Sequence, residues 1–134
     1  MALRYLLDTN TLSDLIRHPR GRIARHIASR GEGSVCTSAV VACELRYGAE
    51  KAASKRLSKQ VDLILSALEV LPMEPPTDRH YGDIRHGLAR RGAPIGANDL
   101  LIAAHARSLD LTVVTDNERE FRRVPDLRVE NWLV

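Results

Sequence analysis

Five short apolar runs, alternating with stretches of helical periodicity, leave this chain few ways to fold. The first run, Arg4-Tyr5-Leu6-Leu7, ends at Asp8-Thr9-Asn10-Thr11, residue types that start helices well, and a short helix to about His18 follows. Pro19-Arg20-Gly21 breaks it, residues 22–30 resume helical spacing, and Gly31-Glu32-Gly33 turns the chain. Ser34 to Thr37 reads as a second strand, with Ser38 capping a helix over about 39–49 and another amphipathic helix over 51–67. A third strand, 68–71, is halted by Pro72, Pro75 and Pro76. The helix over 77–91 closes on Arg90-Arg91-Gly92, a basic last turn before a glycine. Asn98 or Asp99 opens the next helix, to about Leu109; a strand at 111–115, a turn or helix at 117–122 and a strand near 127–131 complete the order. Strands separated by helices predict an α/β chain: a parallel sheet covered on both faces, built as one domain over 1–134.

In an open sheet of this kind ligands gather beyond the carboxyl ends of the strands. Three acids fall at such ends or on the helices just after them. Asp8 ends the first strand, where helix capping alone would explain it. Glu44 has Val40, Val41, Tyr47 and Gly48 as its helical neighbours, which places its carboxylate on an apolar face. Burying an unpaired charge costs several kcal/mol, so Glu44 needs a proton or a cation, the cation being a metal ion or an arginine in a structural pair. Asp99 repeats the pattern beside Ile102, Ala103 and Ala106, with capping again as the simpler account. Carboxylates brought to one cleft repel each other unless a cation sits among them. Oxygen-only ligation selects a hard ion, Mg²⁺ with Mn²⁺ able to replace it. His18, His26, His80, His86 and His105 show no zinc-site spacing, and His105 falls off the face of Asp99, as a structural residue would. A fourth acid is expected near Thr115: Asp116 first, with Glu120 four residues on and Asn117 between them. Asp14 shares a polar face with Arg17 and His18 and reads as a surface residue.

The rest of the composition narrows the partners. Net charge is only +3, but arginines cluster at 17–30, 85–91 and 119–123, and guanidinium forks suit phosphate oxygens. Aromatics make up 4% of the chain, too few for a broad base-stacking platform, so backbone contacts should dominate any nucleic-acid binding. Two cysteines, Cys36 and Cys43, cannot supply a disulfide framework and read as two buried thiols. No apolar run approaches the roughly 18 residues that span a bilayer. With no leader-like segment at the start, the expectation is a cytoplasmic protein with no membrane contact.

Leu6-Leu7-Asp8-Thr9-Asn10-Thr11, the helix bearing Glu44-Leu45-Arg46-Tyr47-Gly48, the stretch Ile95-Gly96-Ala97-Asn98-Asp99-Leu100 and the run Val114-Thr115-Asp116-Asn117 together resemble PIN domains. More narrowly they resemble VapC toxins of bacterial type II toxin–antitoxin systems. The likeness covers nearly the whole chain, with the motifs in order. It implies a PIN-like α/β/α sandwich, Mg²⁺ or Mn²⁺ held by Asp8 and Asp99 with Glu44 completing the set, and an endoribonuclease acting on tRNA or rRNA. It also implies a homodimer neutralised by a VapB-like antitoxin, with DNA bound only through that antitoxin. One departure stands out: many such proteins carry their fourth acid where this chain has Asn117, so Asp116 would have to compensate.

The mechanism expected from these residues is metal-assisted phosphodiester hydrolysis, with Asp8, Asp99, Glu44 and Asp116 at the centre. Thr9, Asn10, Thr115 and Asn117 would be supporting polar groups. An RNA-maturation nuclease without a toxin role would carry the same acids. A silent binding module would have no need of them. A receiver-like phosphoacceptor would require a lysine after a late strand, and the lysines stand only at 51, 55 and 59.

Overall fold

A computed structural model describes residues 2–134. Five parallel strands, β1 (Tyr5–Leu7), β2 (Val35–Ser38), β3 (Glu69–Leu71), β4 (Thr112–Val114) and β5 (Val129–Glu130), form one sheet in the order β3-β2-β1-β4-β5. Between them run α1 (Thr9–Arg17), α2 (Arg22–Arg30), α3 (Ala39–Ala52), α4 (Lys55–Ala67), α5 (Thr77–Arg90), α6 (Ala97–Ser108) and the single turn α7 (Glu118–Phe121). This is the α/β/α architecture expected from the alternation of strands and helices.

The strand order explains where a site can form. From β1 the chain steps outward to β2 and β3, then crosses back over the sheet to β4 and continues to β5. Right-handed crossovers therefore lay the first four helices on one face and the later ones on the other. The crossovers part company between β1 and β4, whose registered residues are Leu6 with Val113 and Leu7 with Val114. That switch point opens a crevice at the carboxyl ends of the two strands. Leu6, Leu7, Val113 and Val114 are fully buried, so the crevice stands on a rigid base of apolar side chains.

Local chemistry sets the helix ends. Asp8 accepts the Thr11 backbone N–H at 3.0 Å, and Ser38 Oγ accepts that of Val40 at 3.1 Å. Helix α3 runs through the exposed Gly48 to Ala52, three residues past the expected end. The break falls instead at Ala53, which takes a left-handed φ of 49°, before Ser54 caps α4. Helix α6 starts at Ala97, with the Gly96 carbonyl accepting from Leu100 N–H at 2.9 Å. Neither Asn98 nor Asp99 caps it, so both side chains are free for other partners.

Two expectations about burial are corrected. Cys36 is buried but Cys43 is exposed, because the inward row of α3 is Val41, Leu45 and Ala49. For the same reason Glu44 lies at the margin of that row: Tyr47 on its flank is 66% exposed and Gly48 is open to solvent. Asp14 pairs with Arg17 and His18, both at 3.9 Å, as a surface residue would. His105 is buried and bonds Ser38 Oγ at 2.8 Å, tying α6 to the end of β2. Among the described residues no helix is long and apolar enough to cross a membrane.

Candidate active site

The crevice is floored by Asp8, 4% exposed at the tip of β1. Its frame is a set of buried hydroxyls turned inward on backbone acceptors. Thr11 Oγ1 donates to the Val114 carbonyl at 3.0 Å and Thr37 Oγ1 to the Leu7 carbonyl at 2.7 Å, which lock the strand ends together. Burial pushes the Asp8 carboxyl above its ordinary range. Hydrogen bonds from Thr115 and Thr11 pull against that, and the nearby charge of Asp116 adds to the rise.

Asp99 enters from the first turn of α6. Its pKa is pushed up to about 6, first by burial; the charges of Glu120, Asp8 and Glu44 raise it further, against a hydrogen bond from Asn117. These interactions show that four acids, far apart in the chain, share one electrostatic neighbourhood. Glu44 reaches in from α3. Its Oε1 accepts from Thr9 Oγ1 at 2.5 Å and its Oε2 from Asn98 Nδ2 at 3.1 Å, which links α3 to α1 and α6 across the crevice mouth.

The candidates for the fourth acid separate clearly. Asp116 is exposed at the rim, where its Oδ1 accepts from Asn10 Nδ2 at 3.2 Å. Glu120 is the one beside Asp99. Asn117 Nδ2 bridges the two, at 3.0 Å to Asp99 Oδ2 and 2.5 Å to Glu120 Oε2, and Gly96 N–H donates to Glu120 Oε1 at 2.9 Å. The Asn117 bond holds the Glu120 carboxyl below its usual range, so Glu120 remains ionised. Asn117 is itself held by its backbone N–H, which donates to Thr115 Oγ1 at 2.9 Å. Thr9, Asn10, Thr115 and Asn117 thus each touch an acid or a group that holds one.

No Lys, Arg or His pairs with Asp8, Glu44, Asp99, Asp116 or Glu120 among the described residues; every ion pair lies elsewhere. An arginine partner for Glu44 is therefore set aside. Asn98 escaped the sequence reading as a site residue, although its place beside Asp99 was the available signal.

The donor set suits a hard, partly hydrated divalent cation. All the donors are oxygens, two of the carboxyls are raised by burial and by neighbouring acids, and none of them forms an ion pair among the described residues. Among the described residues no three side chains of ligating type close on a single point, because Asn117, Thr9 and Asn98 hold the acids apart.

Comparison with known proteins bears on the family and the fold. A PIN-domain family model matches residues 5–127. Ribonuclease VapC2 of Haemophilus influenzae is 41% identical, covering 98% of this chain and 99% of its own length. The tRNA(fMet)-specific endonuclease VapC of Salmonella typhimurium is 42% identical over 97% of this chain and 98% of that protein. In the crystal structure of DNA-bound VapBC from Salmonella typhimurium, one chain superposes with a TM-score of 0.91 at 41% identity, covering 97% of this chain and 98% of that one. Matched along nearly all its length in sequence and in fold, the chain belongs to the VapC family of PIN-domain proteins.

Proposed function

We propose that this VapC-family ribonuclease is a divalent-metal-dependent endoribonuclease. In this reading it is the toxin of a VapBC-like toxin–antitoxin pair and hydrolyses phosphodiester bonds in tRNA or rRNA. The observation that carries the metal dependence is the half-buried Asp99 carboxyl, whose affinity for protons is raised by burial and by the charges of Glu120, Asp8 and Glu44, with no Lys, Arg or His paired to any of these acids among the described residues.

Asp8 and Asp99 would hold the ion, with Glu44 completing the set. The chemistry such an ion supplies is activation of water and charge neutralisation at the scissile phosphate. Glu44, kept at the mouth by Thr9 and Asn98, orients the attacking water and accepts its proton. Asn117 fixes the Asp99 carboxylate in place and Thr115 fixes Asn117. Asp116 and Asn10 form a polar rim on the other side. Because the attacking group is water and not the RNA 2′-hydroxyl, the products carry 5′-phosphate and 3′-hydroxyl ends.

The Salmonella structure is of VapBC bound to DNA, and this likeness supports a VapB-like antitoxin as the partner, with DNA contacted through it. A homodimer, RNA as substrate and a cytoplasmic location belong to the same reading. The test is sequencing of RNA ends after brief expression, wild type beside Asp99→Asn. New 5′-phosphate ends in wild type alone are expected. Cleavage by the purified protein at full rate in excess EDTA would remove the metal-dependent mechanism.

A further inference from the structure

A groove of about 330 Å³ lies directly behind the acidic crevice, between α5 and the loop that leads into α6. One wall is the outer row of α5: Tyr81, Arg85 and Ala89. The other is Pro94, Ile95 and Ala97, and the buried Leu88 and Leu100 make the floor. Its surface is largely apolar, with a single guanidinium and a single phenol on it.

The wall between groove and crevice is one residue thick. Ile95 and Ala97 face the groove, while Gly96 between them faces the acids: a Cβ placed there would stand 3.9 Å from Asp99 Oδ2. Gly96 N–H is also the group that Glu120 holds at 2.9 Å. A phosphate positioned over Asp8 and Asp99 would therefore bring the neighbouring nucleotide to the rim of the groove.

Arg85 gives the groove its character. Its Nη1 donates to Tyr81 Oη at 2.8 Å, and its guanidinium carbon lies 5.9 Å from the Tyr81 ring centroid. No acid pairs with it among the described residues, so its charge is not neutralised within the chain. A guanidinium fixed by one edge presents a flat cationic face, on which an unstacked RNA base packs well. Two other grooves lack this combination, and a third, on the far side of α5, sets Asp83 beside Arg90 and Arg91 with no aromatic ring in its lining. The apolar one lined by Leu15, Ile16, Pro19 and Leu63 offers no charge. In the basic one on α2, Arg30 is held by Glu130 and His26 and Arg22 by the Leu133 carbonyl; Arg25 is left without an ion pair among the described residues, but no apolar side chain lines the groove beside it.

We infer that this groove is a nucleobase subsite, which takes the base of the nucleotide next to the scissile phosphate against Arg85, Tyr81, Pro94 and Ile95. The inference rests on the nuclease reading above and adds the place where RNA outside the cut is gripped. With only Arg85 and Tyr81 as polar side chains, the grip comes from stacking and burial. Removing the base then matters more than changing it.

The probe is a set of hairpin RNAs in which each loop nucleotide in turn is replaced by an abasic ribose. Cleavage is compared for wild type, Arg85→Ala and Ala89→Trp, the last filling the groove from an exposed position. In wild type, one abasic position beside the cut should lower kcat/KM by about 5- to 150-fold, the span of one base–aromatic stack. Ala89→Trp should lose a similar factor on intact RNA and show no further loss on that abasic RNA; Arg85→Ala should show a partial version of both. The same RNAs are also bound in EDTA, read by fluorescence anisotropy, so that the groove is tested apart from the chemistry. If wild type cleaves none of the hairpins, the nuclease reading fails, and the binding difference between intact and abasic RNA still decides the subsite. Equal abasic penalties in wild type and Ala89→Trp overturn it. So does an Ala89→Trp protein that differs from wild type only in sedimenting as a smaller species, which would assign the groove to a second copy of the chain.

Discussion

Asp99→Asn should make the metal-free protein more stable while making it inactive. With its pKa at about 6 against an ordinary 3.8, the carboxylate costs the fold up to about 3 kcal/mol when ionised. Asp99 is only half-buried, and solvent screening brings the figure nearer 2 kcal/mol. Asparagine keeps an oxygen able to accept the bond from Asn117 Nδ2 and removes a charge that burial penalises and that Glu120, Asp8 and Glu44 repel. The sign follows from proton binding. A folded-state pKa raised above the unfolded value means the native protein holds the proton more tightly. Wild type therefore regains stability as the pH falls through about 6 towards 3.8. The advantage of Asp99→Asn should be about 2 kcal/mol near pH 8, about half that near pH 5 and small near pH 4. For a chain of this size that is a rise in Tm of roughly 6 °C at the alkaline end. The assay is urea and thermal unfolding in EDTA at those pH values, repeated with Mg²⁺, which should stabilise wild type and leave the variant nearly unchanged. An Asp99→Asn protein no more stable than wild type near pH 8, or one whose advantage ignores pH, would refute the argument from burial and repulsion and with it the need for a cation.

Other consequences can be measured on the same preparation. Burial lowers the His105 pKa, against an opposing pull from the Pro72 carbonyl, so the unfolded chain takes up the proton first and stability falls as the pH drops below 6.5. In an Asp99→Asn background that acid-side loss should stand exposed, and His105→Gln should flatten it; an unchanged slope would show that another group is responsible. Cys43 should react with a maleimide in the native protein while Cys36, its thiol pushed up to about 12 chiefly by burial, reacts only in denaturant. Two thiols modified in the native state would contradict the burial assigned to β2. Arg123→Ala frees the Pro94 carbonyl, which its Nη1 holds at 2.8 Å, and loosens the loop that carries Gly96. The Mg²⁺ concentration for half-maximal cleavage should rise about ten-fold with little change in melting temperature; a variant with the wild-type metal requirement would remove Arg123 from that role.

How much of this the sequence could disclose depends on whether a residue sits on an element long enough to have a period. The succession of strands and helices along the chain was legible because alternation of apolar runs and helical stretches persists throughout, and the convergence of Asp8 and Asp99 follows from a parallel sheet having all its carboxyl ends on one side; the order of strands within the sheet was not legible. Glu44 was placed on an apolar face because Val40 and Tyr47 are apolar residue types. In the fold they lie outside the buried row of Val41, Leu45 and Ala49, and residue type alone does not distinguish a core position from a bare one.

The fourth acid shows the limit most sharply. Helix α7 is a single turn of four residues, so no periodicity says which side chains turn inward. Its rotation is set by Phe121, fully buried, with Val124 buried just after it. With Phe121 pointing down, Glu118 is carried outward to Arg122 and Asn131, and Glu120 is carried to Gly96 and Asn117. The position next to the strand-end threonine, which made Asp116 the first choice, places a carboxylate at the rim. The inner acid comes from one turn further on and reaches Asp99 through an asparagine standing between two acids. Asn117 thus bridges Glu120 to Asp99, and the inward placement of Glu120 follows from the burial of Phe121, its neighbour in the chain.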